Sequence, residues 1–345
     1  MKNLKKLGLS ALCGSLASVS AANAGGIDIV GNAHMTWTSL GAAVTGNPLG
    51  MKTNMSFVGN GELDGGQTFS VLVAHNDKNA YSSSNITLNT NNFGSLQLSM
   101  AEGGGGIGGY DDNMPRAFEE VWDAALTTDI NLQKGVGSST NINWTSPSFM
   151  RGTKLKIAYA PQNDGSMPND KSVGGPDGTD LMQEGMDVVL DIASDTPVNL
   201  FVGASKTILQ KSNHVAEDRK EDHREAVAGL KLSIGPIELG GQISGEATGA
   251  VATSAVEYYA NNSIGAAFNI NDNLSISYAE MRSMKGLNEK TEHENSIDMQ
   301  GNSLQFAYTL GGASLKFAKT EVENNGYTRS GGTKEAKAIA LSLAF

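Results

Sequence analysis

The sequence predicts an all-β chain: a transmembrane, antiparallel, up-and-down β-barrel of about sixteen strands with one long loop folded inside it. Three observations carry that prediction. Apolar and polar residues alternate with a period of two in short segments from Ile27 to the end of the chain. Tight turns rich in Gly, Asn and Asp alternate with long polar connections, so one rim of a closed sheet would carry turns and the other loops. No run approaches the ~20 apolar residues that a membrane-spanning helix needs. Mean hydropathy is slightly negative, at −0.24, as suits a wall that hides its apolar residues at every second position.

Residues 1–24 read as a secretory signal peptide. Lys2, Lys5 and Lys6 supply a basic start, Leu7 to Val19 an apolar core, and Ala22-Asn23-Ala24 a small-x-small cleavage site. The single cysteine, Cys13, lies inside that segment, so no disulfide is expected in the domain that follows, residues 25–345. The formal net charge is −11, and loss of the three leader lysines makes it more negative. Nucleic acid is therefore excluded as a partner, because phosphate binding needs a basic footprint.

Each strand has its own signal. Ile27, Ile29, Met35 and Trp37 alternate with Asp28, Asn32, His34 and Thr36. Met51, Met55 and Phe57 alternate with Lys52, Asn54 and Ser56, and Asp64-Gly65-Gly66 turns the chain into Phe69, Val71 and Val73. Ile86 and Leu88 lead through Asn91 to Gly94 into Leu96, Leu98 and Met100, the fifth strand. Beyond the unusual loop come Ile142 with Trp144, then Leu155 to Tyr159, Met186 to Ile192, and Leu200 to Ala204. Ala226 to Ile234 turns at Gly235-Pro236 into Ile237 to Ile243, and Ile264 to Ile270 turns at Asn271 to Asn273 into Leu274 to Tyr278. Leu304 to Leu310, Leu315 with Phe317, and Ile339 to Phe345 complete the set. Aromatic residues are expected in two bands at the membrane interfaces. Trp37, Tyr159, Tyr258 and Tyr278 would mark the long-loop side, and Trp144, Tyr308 and Phe345 the short-turn side.

One stretch breaks the pattern. Residues 102–129 run a glycine tract into an acidic pair, a Met-Pro stop and a short helix-like patch from Arg116 to Ala125. Glu102, Asp111, Asp112, Glu119, Glu120, Asp123 and Asp129 stand there against one arginine. Carboxylates in a narrow aqueous neck with low-dielectric walls focus their field and concentrate cations. The stretch is therefore expected to fold inward as a pore constriction, with Glu102, Asp111, Asp112, Glu119, Glu120 and Asp123 lining it. A solvated surface loop is the plainer alternative.

Other chemistry finds little footing. Gly103, Gly105 and Gly108 satisfy the dinucleotide fingerprint in form, but no strand-helix-strand unit follows. Two adjacent carboxylates, Asp111 and Asp112, make a poor calcium chelate by themselves. The five histidines show no metal-ligand spacing, and no nucleophile motif is present. No cofactor, no metal and no enzymatic activity are expected.

With these residues in view, the chain resembles the general bacterial porins of Gram-negative outer membranes. The resemblance rests on the strand that follows Ala22-Asn23-Ala24, the hairpin Ser56 to Gly66, the long acidic loop after the fifth strand, and the terminal Leu341-Ser342-Leu343-Ala344-Phe345. It implies a sixteen-stranded homotrimer in the outer membrane, bathed by outer-membrane lipids, with its third long loop at the constriction. The family opposes its loop acids with a cluster of arginines. Here the strands expected to face the loop offer His34, Lys52 and Lys316, with Lys154, Lys156 and Lys231 farther from the neck. The resulting expectation is a water-filled channel for passive transport of ions and small hydrophilic solutes, with mild cation preference. A substrate-selective porin and a secreted β-sandwich adhesin or glycan-binding module are the alternatives.

Overall fold

Period-two alternation sends successive side chains to opposite faces of a strand, and cross-strand register then decides which face is common to the sheet. The computed structural model describes residues 27–344 except 41–46, 64, 78, 101–104, 112, 138–139, 162–181, 193–195, 210–221, 251–254, 288–295 and 330. The signal-peptide segment, Glu102, Asp112 and Phe345 thus lie outside the described residues.

The strands are β1 Ile27–Leu40, β2 Leu49–Glu62, β3 Thr68–Asn76, β4 Asn79–Thr90, β5 Gly94–Met100, β6 Asn141–Thr145, β7 Lys154–Ala160 and β8 Met182–Ile192. The second half comprises β9 Val198–Leu209, β10 His223–Ile234, β11 Ile237–Ala247, β12 Val256–Asn269, β13 Leu274–Leu287, β14 Ser296–Leu310, β15 Ala313–Glu323 and β16 Thr333–Ala344. Each strand pairs antiparallel with the next, and β16 pairs with β1, so the sheet closes into a barrel with no free edge. Sixteen strands leave an interior too wide for side chains alone to fill.

Register puts apolar residues outside in rows. Ile29 faces Phe57, Val71 faces Ile86, Leu98 faces Ile142, and Ile276 faces Phe306. Met51 is 78% exposed, which an aqueous surface would penalise and a hydrocarbon one rewards. On β13 to β16 this band ends at outward ion pairs: Arg282 with Asp298 at 2.6 Å, and Lys319 with Glu321 at 2.8 Å and Glu335 at 3.5 Å.

The two rims differ as predicted except at two connections: β6–β7, which takes eight residues on the turn rim, and β3–β4. Two-residue turns such as Gly235-Pro236 close one rim, where Gly235 takes φ 58° at no steric cost. The other rim carries the long connections, except that only two residues separate β3 from β4. Trp37, Tyr159 and Tyr258 stand at the long-loop side and Trp144 and Tyr308 at the turn side. Tyr278 departs from expectation: it sits only four residues beyond the turn that opens β13, and its hydroxyl donates to Glu280 at 2.8 Å.

Candidate functional site

The connection between β5 and β6 supplies the site. Its described part, 105–111 and 113–137, lies inside the barrel along the wall of β7 to β16. It starts as a short 3-10 turn, Gly106–Tyr110. Ile107 and Tyr110 bury against Val189, Phe201 and Val227 of β8 to β10. Pro115 sits over Gly240 and Gly265, where a methyl group on Gly240 would strike the proline ring. Phe118 rests on Ala318, Ala338 and Ala340. Val121, Trp122 and Leu126 pack with Met114 against Met281, Met299, Val322 and Ala336. The wall is small where the loop is large. Each large side chain so buried contributes roughly 1.5–3 kcal/mol, because the lumen it leaves is aqueous.

Polar anchors fix the backbone. The Asp187 carboxylate on β8 is fully buried and accepts the amide of Ile107 at 3.0 Å and that of Val136 at 3.1 Å, gripping both ends of the loop. Gly106 and Gly135 flank it with φ of 59° and 52°, and a side chain on either would collide with this carboxylate. Glu225 accepts the amides of Lys134 at 2.8 Å and Gly135 at 2.7 Å. Farther along, Ser277 accepts from Ala117 at 2.8 Å and Gln305 from Phe118 at 2.9 Å. The Glu119 carbonyl, which a helix would offer to Asp123, accepts from the Gln305 side chain instead, and the Asp123 amide donates back to Glu120 at 3.1 Å, so Arg116 to Ala125 forms turns where the sequence suggested a helix. Tyr327, from the β15–β16 connection, reaches down to accept the Asn131 amide at 3.1 Å.

The predicted acids separate. Glu120 is 3% exposed and paired with Arg116, so its charge is spent inside the loop. Asp111 and Glu119 are half-buried and Asp123 is exposed. The predicted bases separate as well. Lys316 does not face the loop; it is 2% exposed beneath it, its Nζ 5.5 Å from the Phe118 ring centroid. Lys156 donates to the Tyr110 hydroxyl at 2.6 Å and lies 3.6 Å from Asp191. Lys154 is opposite Asp191 in register, and Lys231 is 3.9 Å from Glu238. Only His34 and Lys52, paired in register on β1 and β2, belong to the uncovered wall. Burial, and secondarily Asp191, pushes the Tyr110 phenol above its usual range; burial does the same for Tyr327.

Folding also gathers what the sequence left scattered. His223, Glu225 and Glu246 bring their ligand atoms within 4.8 Å of one another. The group is engaged in holding the loop: Glu225 takes two backbone amides, and Glu246 takes the Asn131 side chain and His223 at 3.0 Å. Asp187, Glu225, Ser277 and Gln305 were missed as functional residues. For Asp187, Ser277 and Gln305 the signal is a polar side chain at an inward position between apolar outward ones; Glu225, which follows Arg224, lacks it.

A family model described as Gram-negative porin matches residues 8–339, so the chain belongs to that family. Among curated proteins no significant match was found. The fold is shared with OmpF of Salmonella typhi in complex with daunomycin, at TM-score 0.67 and 12% identity over 92% of this chain and 97% of that one. An anion-selective porin from Comamonas acidovorans superimposes at TM-score 0.64 with 12% identity, covering 93% and 99%. The trimer form of OmpT of Vibrio cholerae gives 0.61 with 12% identity, covering 94% and 100%. The protein is an outer-membrane diffusion porin.

Proposed function

We propose that this porin is a general diffusion channel for ions and small hydrophilic solutes, with mild cation preference, working as a homotrimer and without enzymatic activity. One observation carries the reading: the β5–β6 loop is clamped along the inner wall at both ends, so it narrows a sixteen-stranded lumen without filling it. Asp111, Glu119 and Asp123 then border the neck, continued in sequence by Glu102 and Asp112. His34 and Lys52 face them as the opposing bases. Acids outnumber bases at the narrowest point, where low-dielectric walls strengthen their field. The trimer reading is supported by the likeness to the trimer form of OmpT of Vibrio cholerae.

Zero-current potential across a planar bilayer under a salt gradient tests the selectivity. Wild type is expected to show the cation-selective sign, and Glu119→Gln with Asp123→Asn to move the potential toward zero. An anion-selective sign in wild type would overturn the assignment of the loop acids.

A further inference from the structure

The charges of the lumen are unevenly shared. On β7 to β16, under or beside the loop, inward positions hold Lys154, Lys156, Asp187, Asp191, His223, Glu225, Lys231, Glu238, Glu246, Lys285, Lys316 and Lys334. On β1 to β6, the wall that faces the loop, the described inward acids and bases are Asp28, His34, Lys52 and Glu62. Between them the wall is mostly amides and hydroxyls, with Val30, Val58, Leu72 and Ala74 among them.

Two rows stand out among those amides. In one, Asn143 donates to Gln97 at 3.4 Å and Gln97 to Thr87 at 3.1 Å, which links the row side chain to side chain, although no described group donates to the Asn143 Oδ1. The other is Asn32, Asn54 and Asn76, directly opposite one another in register on β1, β2 and β3. There, among the described residues, no protein group donates to Oδ1 of any of the three. Asparagine is disfavoured in strands, where its side chain competes with the backbone and packs poorly. Three in register are therefore not explained by sheet stability. Amide oxygens without donors are instead acceptors held ready, since burial without a partner is costly and a donor relieves it. In this rotamer the three oxygens are turned away from water, but each side chain is half-buried at the lumen, so rotation about Cβ–Cγ turns Oδ1 toward a passing solute that can donate. The row is also close to the neck. His34, two residues from Asn32, lies 2.8 Å from Ser342, and Phe118 of the loop rests on the neighbouring Ala340.

We propose that Asn32, Asn54 and Asn76 form a binding subsite for neutral, polyhydroxylated solutes, which cross the neck by exchanging water for amide hydrogen bonds. Successive hydroxyls of such a solute can donate to successive Oδ1 atoms along the row, roughly one strand spacing of ~4.8 Å apart. A solute that only accepts hydrogen bonds gains nothing from these oxygens. This inference rests on the diffusion-channel reading and names the solute class of the same pore.

The test compares two neutral probes in a planar bilayer: raffinose, rich in hydroxyl donors, and a polyethylene glycol of matching hydrodynamic size, whose ethers only accept. Raffinose is expected to interrupt the open-channel current saturably, and the glycol to lower it without saturation. Asn54→Ala with Asn76→Ala should weaken the raffinose block on the order of ten-fold, while the effect of the glycol, read against each protein's own open-channel current, stays as in wild type. The wild-type comparison needs no variant and so survives a double variant that fails to fold. Equal, unsaturable effects of both probes overturn the proposal, as does a double variant that shifts the zero-current potential while raffinose block is unchanged. Absence of any channel from folded protein would instead overturn the diffusion-channel reading itself.

Discussion

Asp187 shows how much one side chain can decide. It accepts backbone amides from Ile107 and Val136, residues that begin and end the inward loop, so a single carboxylate closes the loop on itself and on the wall. Asp187→Asn replaces one acceptor oxygen with a donor aimed at an N–H, at a cost of about 1–3 kcal/mol borne by the loop alone. The expected outcome is a barrel of unchanged thermal stability with increased current flicker and faster proteolysis of the loop; quiet channels would show that the clamp is dispensable. Two phenols act through pH. Burial raises the pKa of Tyr110 and Tyr327 above the usual value of about 10. Below that pH both are neutral whether the loop is docked or not, and docking is unaffected. Above it an undocked phenol ionises while a docked one resists, so docking weakens as pH rises. Current flicker should therefore grow above about pH 10, with tyrosinate absorbance rising in step.

At the scale of elements, the strands were legible because their signal is local. Period two, punctuated by Gly and Asn, survives whatever the barrel contains, and so do the turns. What failed was the stretch from Arg116 to Ala125, whose conformation is set by partners far away in sequence. Glu119 and Gln305 are 186 residues apart, and the Gln305 amide takes the Glu119 carbonyl that a helix would have used. Alternation assigns a side chain to the inside but not to the covered or open half of it. Lys316 therefore read as a pore base and proved to be a floor beneath Phe118, while Asp187 looked unremarkable. The seat of Pro115 offers a direct test of the element. Gly240→Val pushes a branched side chain into the proline ring, and the expected result is a shifted single-channel conductance with the barrel's heat-modifiable mobility retained; an unchanged conductance would place the neck elsewhere.

Across the whole molecule, the outward and inward faces obey different solvents. Outside, leucine and methionine are exposed to lipid, and inside, large apolar side chains are hidden from water by the loop that carries them. The loop thus works as a core for a shape that would otherwise have none. Its seat, however, is assembled from distant parts of the chain. Ile107 lies against β8 to β10, whereas Phe118 needs Ala338 and Ala340 of β16, the strand that also zips to β1. Contacts so far apart in sequence form late, because their closure entropy must be met before they stabilise anything. A chain still missing its final strand holds half a socket, with a wide mouth and two raw edges. Narrowing of the passage is consequently the last event of maturation, and a quiet, small-bore conductance reports that the first and last strands have already met.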